Sequence, residues 1–77
     1  MKPEDLRRLK ADIKEILPRL NLMFDDVMGM YEDCPETKDM LTLHYTSLAH
    51  ACKARALPKV WYEARVLEDV LIFYLTE

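Results

Sequence analysis

Only a handful of side chains in this sequence carry the chemistry of metal binding or covalent catalysis. His44 and His50 fall six residues apart, and His50 and Cys52 only two apart. Helical ligands that share a metal ion are spaced three or four apart, because those positions lie on one face. Neither pair meets that spacing, so His44 reads as an ordinary half-buried helical residue and His50 as a surface one. Cys34 and Cys52 have no histidine and carboxylate placed to activate a nucleophile. The carboxylates of Asp25, Asp26, Glu32, Asp33, Glu36 and Asp39 gather around one chain reversal, where solvated helix faces and caps account for them. Gly29 is the sole glycine, so no glycine-rich loop is available to cradle a phosphate. These residues predict a protein that is not an enzyme and has no metal site and no cofactor.

The cysteines carry a second inference. Placed near opposite ends of one helix, Cys34 and Cys52 would lie ~27 Å apart at ~1.5 Å per residue, far beyond the ~7 Å Cα separation that a disulfide tolerates. Two reduced thiols indicate the cytoplasm. The opening "MKPEDLRRLK" is charged from its second residue and has no apolar core of a secretory signal. The most apolar run, "VLIFYL" at 70–75, is far short of the ~20 residues needed to span a bilayer. A cytoplasmic protein with no membrane association is expected.

The elements that position these residues are helical. Seventy-seven residues, 51% hydrophobic and 32% charged with one Gly and four Pro, describe a single all-α domain over 1–77 at the small end of what folds unaided. From Leu6 the apolar residues step by three and four through Leu9, Ile13, Ile16, Leu20, Met23 and Val27 to Met30, an a/d heptad pattern. Pro18 falls on the side away from that seam. An interior proline costs ~3 kcal/mol and can break a helix, yet the phase of the pattern survives it. A long first helix over 3–31, bent at Pro18, is therefore expected; a true break is the alternative. Before Pro18 the stripe is narrow, and Glu4–Arg8 and Glu15–Arg19 are spaced as solvated i,i+4 pairs. From residue 17 onward, Leu17, Phe24 and Tyr31 broaden the face to core width.

Pro35 suits the first turn of a second helix over 35–55, capped by Asp33 or Cys34. Its predicted face is Leu41, Tyr45, Leu48 and Cys52, with Met40, His44 and Ala51 beside it. Pro58 opens a third helix over 58–76. That helix carries Val60, Ala64, Leu67, Leu71 and Tyr74 on one stripe and Val66, Val70 and Phe73 on another. A helix apolar on nearly every side is buried on nearly every side, and two other helices of a short chain cannot surround it. The pattern predicts a three-helix bundle that assembles as a homodimer. Trp61 and Tyr62 are adjacent and cannot both face one core, so they join Val66, Val70, Phe73 and Tyr74 as the candidate dimer or partner interface.

The net charge is −3, with Lys+Arg 11 against Asp+Glu 14. That balance offers no basic excess for a phosphate backbone and is too mild to imitate one. Residues 47–66 do have a helix–turn–helix flavour, with Lys59, Tyr62 and Arg65 turned toward a hypothetical groove. Against it, Glu63, Glu68 and Asp69 share that helix. Five methionines at helical spacing read as core filler. In type alone, the small size, scarce glycine and missing site resemble small helical regulators and inhibitors, including those carried by phages and plasmids. The sequence thus points to a non-catalytic module that binds a larger protein, as adaptor or inhibitor. A nucleic-acid-associated regulator is the alternative.

Overall fold

The computed structural model describes residues 2–76. They form three helices, α1 (Pro3–Met30), α2 (Pro35–Lys53) and α3 (Leu57–Leu75), and no strand. Each helix begins with a proline in its first turn, where the missing N–H would have had no intrahelical partner. Pro18 is the exception, and α1 runs through it without interruption. Pro18 and Lys14, the residue whose carbonyl loses its bond, are both exposed, so water can satisfy the orphaned acceptor.

Four helix ends differ from the sequence expectation by one or two residues: α1 stops at Met30 with Tyr31 as its C-cap, α3 stops at Leu75 with Thr76 as its C-cap, and both ends at the α2–α3 turn are displaced. The backbone N–H of Arg55 donates to the Cys52 carbonyl (3.1 Å), and that of Ala56 donates to the Ala51 carbonyl (3.2 Å). Arg55 itself adopts a left-handed φ of 56°. Together these bonds make a Schellman termination with arginine where glycine is usual, and they take Arg55 out of α2. Leu57 rather than Pro58 is then the first residue of α3, with Ala56 as N-cap. At the other turn Cys34 is the N-cap of α2.

The core is Ile13, Ile16, Leu20 and Val27 of α1, Leu41, Leu48 and Ala51 of α2, and Val60, Ala64, Leu67 and Leu71 of α3. Its a/d seam ends at Val27: Met30, which the heptad pattern assigned to it, is exposed. The reason is geometric. A helix that does not supercoil drifts ~20° per heptad from a 3.5-residue pattern, which hands the last turns of the seam to the e positions. Accordingly Leu17, Phe24 and Tyr31 pack on the core. Tyr31, in place of Met30, meets Tyr74 edge-on with ring centroids 5.0 Å apart.

The helices run up, down and up. α1 and α3 are parallel: Trp61 lines a cleft with Asp12 and Ile16 near one end, Arg19 reaches Glu68 at mid-length, and Tyr31 meets Tyr74 at the other end. α2 is antiparallel, so its Met40 lies beside Val70 and Tyr74. α3 packs closely on both neighbours. α1 and α2 stand farther apart and meet through Phe24 and Tyr45, with ring centroids 4.8 Å apart. The result is an open triangle measuring 45 × 22 × 15 Å. With a side-chain-to-side-chain helix diameter of ~10 Å, two neighbours cannot wrap the third.

Candidate functional site

α3 presents two apolar faces. Val60, Ala64, Leu67 and Leu71, at i, i+4, i+7 and i+11, point between α1 and α2 and are buried. On the opposite side Tyr62, Val66, Val70 and Phe73 form a second stripe. Val66 and Val70 are half-buried, while Tyr62 is 61% and Phe73 58% exposed. Ile72 and Leu75 add exposed apolar surface toward one edge. Where α3 adjoins α2, Met40, Val70, Phe73 and Tyr74 line a shallow cleft of about 370 Å³ with Asp69 at its rim. Of the six interface candidates from sequence, Tyr62, Val66, Val70 and Phe73 therefore share a surface. Trp61 does not: it is half-buried against the core on the side of α1. Tyr74 is half-buried too, held between the rings of Tyr31 and Phe73, and only borders the stripe.

Sequence reasoning missed Glu68. It is 6% exposed, and both carboxylate oxygens are occupied. Arg19 donates through Nη2 to Oε2 at 2.6 Å, and Arg65 donates through Nη1 to Oε1 at 3.1 Å. Both arginines keep about half of their side-chain surface in water, so only the carboxylate is desolvated. Two charge-assisted bonds compensate that cost: the one from Arg19 joins α1 to α3, and the one from Arg65 lies within α3. The Arg65 guanidinium also lies 5.7 Å from the centre of the Trp61 ring, within cation–π range. The signal was present in the sequence: Glu68 is four residues from Ala64 and three from Leu71, a charge on the buried phase of α3. The solvated pairs expected along α1 do not form. Arg19 joins Glu68 in place of Glu15, and neither Glu4–Arg8 nor Glu15–Arg19 is an ion pair among the described residues.

The cysteines need one correction. Cys52, expected on the buried face of α2, is exposed. Leu48 and Ala51 take the positions toward α3, and Cys52 falls at the wide α1–α2 gap beside Leu17 and Asn21. Tyr45, from the same expected face, is also exposed. Cys34 is half-buried at the start of α2. The Thr37 hydroxyl, 3.2 Å from its sulfur, and the Thr37 backbone amide hold its pKa below the ordinary thiol value, against the opposing charge of Glu36. His44 is half-buried and His50 exposed. Among the described residues no three His, Cys, Asp or Glu side chains are grouped to hold a metal ion, and no helix is long and apolar enough to cross a membrane.

No family model matches the chain, and no curated protein or solved structure matches it.

Proposed function

We propose that this chain is a small non-catalytic protein-binding module of the cytoplasm, an adaptor or inhibitor that occupies a surface of a larger protein, and that it works as a homodimer. The observation that carries this reading is the outer stripe of α3. Tyr62 and Phe73 stand in solvent on either side of Val66 and Val70. Fully burying one side chain of this size is worth ~1.5–3 kcal/mol. Leaving several exposed forfeits an amount comparable to the stability of a small domain, and docking recovers it. Aromatic rings flanking aliphatic side chains are the composition of interface hot spots. An isologous two-fold contact is the commonest way for such a stripe to be covered.

The nucleic-acid reading asks Arg65 to reach a groove, but Arg65 is held by Glu68 and lies over Trp61. Light scattering on the purified protein tests the dimer. A particle of twice the 9.1 kDa chain mass at micromolar concentration is expected, and a well-folded monomer would overturn that part of the reading. Binding to labelled DNA that weakens steeply with salt would favour the nucleic-acid reading instead.

A further inference from the structure

We draw no further inference here: the strongest candidate, the apolar cleft of about 280 Å³ where α1 and α2 stand apart, lined by Leu17, Asn21, Tyr45, Leu48, Ala49 and Cys52, is an unpartnered face, and nothing in the structure shows what covers it.

Discussion

The two faces of α3 are built from the same class of residue and meet different ends. The inner face uses Val60, Ala64, Leu67 and Leu71, aliphatic and in one case as small as a methyl group, and its neighbours cover it completely. The outer face uses Tyr62, Val66, Val70 and Phe73, and its own chain covers it only in part: the two valines are half-buried and the rings at both ends stand exposed. Small aliphatic side chains let helices approach closely and fill a core at high density. Aromatic rings supply large area with few rotatable bonds, which suits a surface that must be ordered on contact. Hydrophobicity alone does not separate folding from docking; the shape of the residues and the reach of the neighbouring helices do.

The sharpest way to break this comparison is to truncate one residue from each face. Leu67→Ala is expected to cost ~2–5 kcal/mol in denaturant unfolding, the range for a buried leucine whose site cannot collapse. Phe73→Ala is expected to change the stability of the monomer by no more than ~0.5 kcal/mol, the usual bound for a surface site. Equal losses would mean that both faces belong to one core.

The next effect has the opposite sign. Pro18 lies on an exposed side of α1, remote from either face of α3. Pro18→Ala restores a helical hydrogen bond and is expected to stabilise the fold by about 2 kcal/mol, below the full ~3 kcal/mol penalty because proline also restricts the unfolded chain. The particle mass should not change. A change in mass would tie the shape of α1 to assembly.

Glu68→Gln probes the polar seam between the inner and outer faces. Loss of two charge-assisted bonds is expected to cost ~1–2 kcal/mol, discounted because Arg19 and Arg65 are half in water and can rehydrate. A larger loss in the dimer than in a monomeric variant would show that Arg65 also serves the outer face. The smallest effect expected is a gain of ~1 kcal/mol for Arg55→Gly, because a left-handed φ strains any residue that carries a Cβ. Chemical denaturation reads both.

Much of this architecture was legible beforehand, for identifiable reasons. Three prolines at helix starts and the three-and-four stepping of α1 are local signals, and they placed all three helices. Continuity through Pro18 followed because a break would have shifted the apolar phase. What was not legible depends on how the helices are set against one another. Met30 left the seam because the drift of a 3.6-residue helix from a 3.5-residue pattern accumulates over its length. Cys52 turned outward because α2 leans on α3 rather than on α1. Glu68 was not singled out, because a charge on an apolar phase becomes tolerable only when cations reach it, and Arg19 comes from another helix. Of the interface candidates, the four at matching helical phase were recoverable from spacing. Trp61 and Tyr74 needed the positions of α1 and Tyr31.

The claim at the centre of this account is that the outer face of α3 serves docking and not folding. Sedimentation equilibrium of the unmodified protein beside Phe73→Asp, with circular dichroism on the same samples, tests it most directly. The account predicts about 18 kDa for the unmodified protein, twice the 9.1 kDa chain, and a single-chain mass with undiminished helicity for Phe73→Asp. An unmodified protein that sediments as a folded monomer, or a Phe73→Asp variant that loses its helices, would contradict it.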